Sequence, residues 1–243
     1  MAVSQEHSSD KAGDARQRLL DAAIVVFANK GYEAASIREI CSQAGVNIAG
    51  VNYYFRDKEK LYVEAAKHAH LAACGHVAES IREIDASIPA SVQLQYFIRE
   101  MATRMHAPAD PHAVQIMMRE MANPTVAGQA VIQEYVQPLA FRLREILRSL
   151  LPTFDEPHLL MVGFSIIGQI LYYRQNRRVS ELIFGPEGIG SLDAEMVVSH
   201  ITRFTFAALG LSDPITTHGN SAVVRPPVGQ TSSNTDDNSG AAR

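Results

Sequence analysis

A tight turn at Ala44-Gly45-Val46, between two segments with helical patterning, constrains the fold of this chain more than any other feature. Before the turn, apolar residues recur at i, i+3, i+4 and i+7, which is typical of one helix face: Ile37, Ile40, Cys41 and Ala44. Ser36 and Glu39 have the spacing of a capping box, and Gly45 accepts the positive φ that a sharp turn requires. Residues 47–54 form a short segment after it. This arrangement predicts a helix-turn-helix unit.

The flanking segments predict two more helices around this unit. The first begins at a capping box formed by Asp14 and Gln17, ends at Gly31, and carries an apolar stripe: Leu20, Ala23, Ile24 and Phe27. Asp57 caps the last of the four helices, which runs to about His76. From the third helix, Phe55 and either Ile48 or Val51 are expected to face the core.

The rest of the chain is also predicted to be helical. Further helices are expected over residues 91–106, 111–123, 124–150, 157–178 and 193–209. Asp110 and Pro111 mark a helix start, Pro138 predicts a kink or break, and residues 181–191 are expected to form a loop. No segment alternates in polarity as a strand would. The fold class is therefore all-α, with a three-helix N-terminal helix-turn-helix domain and a larger helical domain.

Composition excludes several classes of protein. With 47% hydrophobic residues and a net charge of −4, the chain is neither wholly disordered nor uniformly basic. Cys41 and Cys74 are too few for a disulfide framework or a four-ligand zinc site. The N-terminus lacks a signal-peptide pattern, and the most apolar segment is too short and too polar to span a bilayer. We expect a cytoplasmic protein with flexible ends at residues 1–12 and 213–243.

No arrangement of residues predicts catalysis or metal binding. The G-x-x-x-x-G-K-[ST], H-E-x-x-H and G-x-S-x-G motifs do not occur. His68 and His70 lack the i, i+4 spacing of a helical metal pair, and His106 with Asp110 is only a pair. We therefore expect no enzyme activity, no resident metal and no cofactor.

Residues 18–62 resemble the N-terminal DNA-binding domain of TetR-family transcriptional regulators. Four pieces carry the resemblance: A-A-x-x-x-F-x-x-x-G-Y from Ala22, S-I-x-x-I from Ser36, the A-G-V turn, and Y-x-F-x-x-K-E-x-L from Tyr53. The resemblance covers about residues 13–73 and implies that this part is the DNA-binding domain. It also implies that residues 74–212 bind a small-molecule effector and form the homodimer.

The resemblance assigns DNA contacts to Ser36 and Arg38 at the second helix, to Tyr53 and Tyr54 on the third, and to Lys58 at the start of the fourth. The remaining third-helix positions left for the major groove are Asn47, Ala49, Gly50 and Asn52. This chain has V-N-Y-Y-F where many relatives have L-Y-Y-H-F, so Asn52 replaces a phosphate-contacting tyrosine. Asparagine can bond adenine, so Asn52 either reads a base or serves a phosphate. Without DNA, Ser36 is a helix cap, Tyr53 a core aromatic and Lys58 a surface charge.

Two further groups of residues are candidates for the second domain. A set rich in methionine and aromatic residues is predicted to bind the effector, or else to fill the core: Tyr96, Phe97, Met101, Met105, Met117, Met118, Met121 and Phe141. Residues 163–175 and the F-G-P after them resemble the C-terminal domain of the CecR-like subgroup. The last two long helices are thus predicted to form the dimer interface, or else the monomer core, through Gly163, Ile166, Ile167, Ile170, Leu171, Val197, Ile201 and Phe204.

Together these features imply a sequence-specific transcriptional regulator, more often a repressor in such a family. A small apolar or amphipathic ligand is expected to release it from its operator or to change its affinity for the operator. Its expected partners are double-stranded operator DNA and a second copy of itself, with no membrane. The alternative is a helical interaction or structural protein of the same fold without sequence-specific DNA binding.

Overall fold

The computed structural model describes the backbone of residues 3–212 and the side chains from Asp14 onward. This part of the chain contains helices and no strand, which confirms the all-α fold class. The helices are α1 (Val3–Ala34), α2 (Ile37–Ala44), α3 (Ile48–Tyr54), α4 (Lys58–Cys74), α5 (Val77–Arg82), α6 (Ala90–His106), α7 (Pro111–Ala122), α8 (Val126–Val131), α9 (Gln137–Leu150), α10 (Glu156–Gln175), α11 (Arg177–Phe184), α12 (Pro186–Gly190) and α13 (Ala194–Ala208). Residues 213–243, expected to form a flexible tail, lie outside the described residues.

The first helix differs from its prediction. It begins at Val3, so Asp14 lies inside the helix and does not cap it, and residues 3–12 continue the helix instead of forming an irregular arm. Residues 3–14 contain no proline, the residue that most strongly breaks a helix. The helix can therefore extend N-terminal to its predicted start. At Gly31 the backbone adopts a φ of 77°, which breaks the helix near its predicted end.

The turn residues of the helix-turn-helix unit adopt their predicted conformations. Ser36 Oγ accepts a hydrogen bond from the backbone N–H of Glu39 at the start of α2, whereas the Glu39 carboxylate pairs with Lys30 instead of completing the capping box. Gly45 is left-handed, with a φ of 63°. Asp57 caps α4 through the backbone N–H of Lys60. These local bonds fix the angles at which α2, α3 and α4 leave their turns.

Two later segments also depart from a simple helix pattern. The long helix predicted around Pro138 is divided into α8, a π-helical turn over Ile132–Val136, and α9, because proline cannot donate an intrahelical hydrogen bond. Residues 181–191, predicted to form a loop, belong largely to α11 and α12. Only Gly185, with a φ of 83°, separates these two short helices.

The molecule has two hydrophobic cores. The N-terminal core joins α1 to α4 and includes residues of α7 and α8, among them Ile116, Met117 and Val131. The C-terminal core is formed by α5, α6, α9, α10 and α13. The segment from α1 to α4 is therefore packed directly against α7 and α8 and shares one core with them. Within residues 3–212, no helix is long and apolar enough to cross a membrane.

Candidate DNA interface and ligand pocket

The α3 helix is held to the domain by one side of its surface. Val51 is buried while Ile48 is 43% exposed, which decides between the two residues that the sequence allowed for the core. Phe55 at the end of α3 is also buried. Asn47 caps the helix, and its Oδ1 accepts a hydrogen bond from the backbone N–H of Ala49. The opposite side of α3 is left open to solvent.

Several predicted DNA contacts lie on this exposed side or beside it. Tyr53 is 79% exposed, so it is not a core aromatic. Asn52 and Ala49 are exposed on the same helix, and Ser36 and Arg38 are exposed at the start of α2. The turn thus presents hydroxyl, guanidinium, amide and phenol groups together on the surface of one small domain.

Three of the predicted DNA contacts are engaged within the domain. A Cβ added at Gly50 would lie 2.7 Å from Cγ1 of Val46, so Gly50 allows α3 to approach the turn. Tyr54 is half-buried and packs against the N-terminal core. Lys58 Nζ donates to the carbonyl of Glu33 at 3.2 Å and lies 4.6 Å from the centre of the Tyr32 ring. Lys58 therefore helps to hold the end of α1 in place.

Two further residues lie on this surface besides the predicted DNA contacts. Ile48 exposes an apolar side chain at the first turn of α3. Arg56 is exposed and has a φ of 70°, and it is the only non-glycine residue with positive φ among those described. A positive φ is uncommon for residues other than glycine. The turn before α4 therefore sets the direction in which the Arg56 side chain leaves the backbone. Its conformation could not be read from the sequence.

A buried polar network joins the DNA-binding segment to α7. The hydroxyl of Tyr62 on α4 donates to Oε1 of Glu120 at 2.5 Å. The other carboxylate oxygen accepts from Thr125 and from the backbone N–H of Gly128. The neighbouring Arg119 donates to the carbonyls of Phe27 and Ala28 on α1. Burial and the hydrogen bond to Glu120 raise the pKa of Tyr62, so its hydroxyl remains a donor.

An apolar cavity of about 350 Å³ lies between α4, α6, α7, α9 and α10. It has the size and lining typical of small-molecule sites. The methionines predicted to bind a ligand converge on it: Met101, Met105, Met117, Met118 and Met121. The predicted aromatic residues do not line it. Phe97 is fully buried in the core, and Tyr96 and Phe141 are exposed elsewhere on the surface, because they lie on other faces of α6 and α9.

The cavity has few polar groups. His70 is buried, its Nδ1 atom has no hydrogen-bond partner, and its ring stacks on Tyr135 at 4.8 Å. Burial lowers the pKa of His70 to about 4, so the ring is neutral near pH 7. Arg174 and Cys74 also line the cavity, and burial raises the pKa of the Cys74 thiol. No three His, Cys, Asp or Glu side chains among the described residues lie together as a metal site would require.

The residues predicted to form the dimer interface divide into three groups. Four are buried in the monomer and cannot contact a partner: Ile166, Ile170, Val197 and Ile201. Gly163, Ile167 and Leu171 line the cavity. Only Phe204 is well exposed, at 57%. The sequence pattern could not distinguish these groups because α10 is apolar on every side.

Other apolar residues on the last two long helices are exposed. On α10 they form a stripe at helical spacing that the sequence analysis missed: Met161, Phe164 and Tyr172. On α13, the side chains of Met196 and Phe204 are also exposed. Large exposed apolar patches of this kind are typical of interaction surfaces.

Comparison with known proteins identifies the family to which this fold belongs. Residues 19–65 match the family described as bacterial regulatory proteins, tetR family. Residues 90–209 match the family described as HTH-type transcriptional dual regulator CecR, C-terminal domain. The chain belongs to the TetR family. The resemblance of the helix-turn-helix segment and of the CecR-like second domain is thereby confirmed.

One curated relative matches most of the chain, and another matches a shorter part of it. It is 25% identical to the HTH-type transcriptional dual regulator CecR of Shigella flexneri over 201 residues, which are 79% of this chain and 90% of that protein. It is 36% identical over 92 residues to the nicotine-responsive repressor HdnoR of Paenarthrobacter nicotinovorans, covering 38% of this chain and 42% of HdnoR.

Solved structures share the fold of this TetR-family protein. A mutant HlyIIR protein aligns with a TM-score of 0.53 and 22% identity, over 79% of this chain and 98% of that one. FadR of Bacillus subtilis, solved in complex with stearoyl-CoA, aligns with a TM-score of 0.51 and 18% identity, over 78% and 96% of the two chains. Likeness at these identities concerns the fold alone.

Proposed function

We propose that this TetR-family regulator is a homodimeric repressor that reads a near-palindromic operator through α2 and α3 and leaves it when a small molecule enters the cavity. The observation that carries the proposal is the exposed side of α3. Val51 and Phe55 anchor the helix on one side, and Asn52 and Tyr53 are left exposed on the other. A helix of this length, exposed beside a tight turn, fits the major groove.

The roles of the exposed groups follow from their chemistry. Arg38 and the N-terminus of α2 supply positive charge and backbone N–H groups, which suit a phosphate. The Tyr53 hydroxyl suits a second phosphate. The Asn52 amide can both donate to and accept from an adenine edge. Lys58 acts mainly by fixing α4 against the end of α1, since its Nζ is bonded to the Glu33 carbonyl.

A dimer would give the operator its symmetry. Two recognition helices must lie about 34–36 Å apart to enter successive major grooves. The exposed apolar stripes on α10 and α13 can bury each other across a two-fold axis. Light scattering is expected to give about twice the chain mass of 26.6 kDa. Phe204→Glu is expected to yield folded monomers that no longer bind a palindrome tightly, whereas monomeric wild-type protein that binds it tightly would contradict the proposal.

The cavity is the proposed effector site. Its wall on α4 is part of the DNA-binding segment, and its wall on α7 carries the network from Glu120 and Arg119 to α4 and α1. A ligand that moves α7 relative to α4 would therefore change how α3 is presented. HdnoR is named as nicotine-responsive and FadR was solved with stearoyl-CoA, which supports a ligand response here. Because the protein would act on DNA, we propose that it works in the cytoplasm.

Selection of binding sites from random DNA with the purified protein tests the DNA-binding proposal. A palindromic motif is expected, and its affinity is then measured by fluorescence anisotropy over a range of salt concentrations. Asn52→Ala should alter the preferred base at one position of each half-site. Arg38→Ala should weaken binding to all sequences and reduce the salt slope by about one unit.

Arg82→Ala is the matched control for Arg38→Ala, because it removes an exposed arginine from α5, outside the proposed interface. It is expected to leave both affinity and salt slope unchanged. If no motif is recovered and specific and random DNA bind equally, the alternative of a helical interaction protein without sequence-specific binding is favoured.

A further inference from the structure

Arg174, near the end of α10, is bonded to the carboxyl ends of two other helices. Its Nη1 donates to the carbonyl of Ala73 at 2.7 Å, at the end of α4. Its Nε donates to Met105 at 2.8 Å, and its Nη2 donates to Arg104 and Ala107, at the end of α6. A guanidinium has five N–H groups, so one hydrogen on Nη1 remains available.

The positive charge of Arg174 has no carboxylate partner among the described residues. Other arginines of the second domain are paired differently: Arg99 with Glu195, and Arg144 with Glu156. Arg174 is only partly exposed, and burial lowers its pKa while leaving it charged at neutral pH. Carbonyl oxygens satisfy its hydrogens but supply no full negative charge. The carboxyl ends of α4 and α6 carry partial negative charge that offsets part of this positive charge, and an anion would supply the remainder.

Arg174 also lies where two pockets meet. It lines the apolar cavity of about 350 Å³ and an adjoining open cleft of about 610 Å³, which share Met105 and Val114. Among the described residues, no Asp or Glu lines either pocket. Arg177, which also lines the cleft, is paired with Glu181 outside it. The surroundings therefore disfavour a cation and favour an anion placed next to an apolar group.

We propose that the effector is an amphipathic anion, with its apolar part among the methionines of the cavity and its carboxylate, or a similar acidic group, on the Arg174 guanidinium. The proposal rests on the ligand response proposed above and specifies the chemical class of the ligand. The open cleft leaves room for a larger polar group beyond the acid.

The same contact explains how binding reaches the DNA. The Ala73 carbonyl is at the end of α4, the helix whose Tyr62 is bonded to Glu120. An anion that draws the guanidinium toward itself weakens the bonds from Arg174 to the ends of α4 and α6. If α4 shifts when these bonds weaken, the ligand has a higher affinity for the shifted α4, which is the condition for coupling between sites.

Isothermal titration with sodium decanoate and with decanamide tests the proposal, because the two probes have nearly the same shape and differ in charge. Decanoate is expected to bind wild-type protein about 10- to 100-fold more tightly than decanamide, as charge-assisted hydrogen bonds are stronger than neutral ones. In Arg174→Gln the ratio of the two affinities should fall to about one, whatever the absolute affinities.

Arg144→Gln is the matched control. Arg144 also lines the cavity and is bonded to the carboxylate of Glu156, which Arg148 shares, so the preference for decanoate should persist. Arg174→Lys keeps the charge without the planar fork and should retain a preference for decanoate, which guards against a folding defect in Arg174→Gln. Equal affinities in wild type, a preference that survives in Arg174→Gln, or no binding of either probe would overturn the proposal.

Operator affinity measured in the same samples separates this proposal from the proposed function. If decanoate binds with the expected preference but leaves operator affinity unchanged, the ligand response is wrong and the anion site at Arg174 stands. If decanamide releases the operator as effectively as decanoate, the anion site is wrong and the ligand response stands.

Discussion

The N-terminal core and the apolar cavity of this protein are built from different kinds of side chain. Between α1 and α4, the N-terminal core is rich in buried alanine, including Ala23, Ala65, Ala66 and Ala69. Between α4, α6, α7, α9 and α10, methionines and leucines surround a cavity of about 350 Å³. Alanine lets helices approach closely and has no rotamers to change, whereas methionine is flexible and fills irregular spaces.

The difference separates a rigid part from an adaptable part. The alanine-rich core fixes the short α2 and α3 helices, which are too short to be stable alone. The methionine-lined cavity can change shape at lower cost, because its side chains can repack around an occupant. Met117 belongs to the N-terminal core and also lines the cavity. The α7 helix is therefore the element through which the cavity can influence the N-terminal core.

Leu61→Ala and Met118→Ala form the strongest test of this contrast. Leu61 is fully buried in the N-terminal core, so its truncation should leave a void and cost about 2–5 kcal/mol of unfolding free energy. Met118 lines the cavity and is partly exposed, so its truncation should cost less than about 1 kcal/mol. Urea unfolding measures both values. Equal losses would mean that the methionine region is an ordinary packed core.

A pH series tests whether the cavity wall excludes charge. Burial lowers the pKa of His70 to about 4, whereas the unfolded chain takes up the proton near pH 6.5. Stability should therefore fall as the pH decreases from about 7 to about 4, by up to about 3 kcal/mol, and should not fall further on account of His70 below that range. His70→Phe keeps a ring against Tyr135 and should remove this part of the loss. Identical pH profiles for wild type and His70→Phe would refute the assignment.

Glu120→Gln tests the connection between the two regions. The carboxylate accepts hydrogen bonds from Tyr62, Thr125 and Gly128 in a buried site, so an amide at this position loses charge-assisted bonds and should cost about 1–3 kcal/mol. Urea unfolding gives the free energy, and anisotropy reports any change in operator affinity. Glu134→Gln is the control, since it removes a partly exposed ion pair with Lys67 that is worth about 0–1 kcal/mol. A larger effect at Glu134 would contradict the proposed role of Glu120.

Ser36→Ala should have the smallest effect of the four. The hydroxyl caps α2, and its loss is expected to cost about 1 kcal/mol. Ser42→Ala, within the same helix and exposed, should be neutral or slightly stabilising because alanine favours helix. If the two variants have equal stability by urea unfolding, Ser36 contributes nothing as a cap, and any loss of operator affinity in Ser36→Ala then reports contact with DNA alone.

The residues of the helix-turn-helix unit could be placed from the sequence because its signals are local. A cap at Ser36, a left-handed turn at Gly45 and a cap at Asp57 involve atoms only a few residues apart, so a short segment contains the whole interaction. The five methionines now found around the cavity were also identified from their clustering in the chain. What this local pattern could not give was the role of Lys58, because its partner, the Glu33 carbonyl, lies 25 residues away in sequence.

Only the tertiary structure decided the arrangement of the second domain. In α10, apolar residues occur on every side, and packing alone determines that Ile166 enters the core, Gly163 lines the cavity and Phe164 is exposed. The same holds for Arg174, whose partners on α4 and α6 are 67 to 101 residues away in sequence. The sequence by itself determined where most helices begin and end, since capping depends on neighbouring residues. Which helix faces meet was decided by burial of apolar surface among distant segments, which no local pattern encodes.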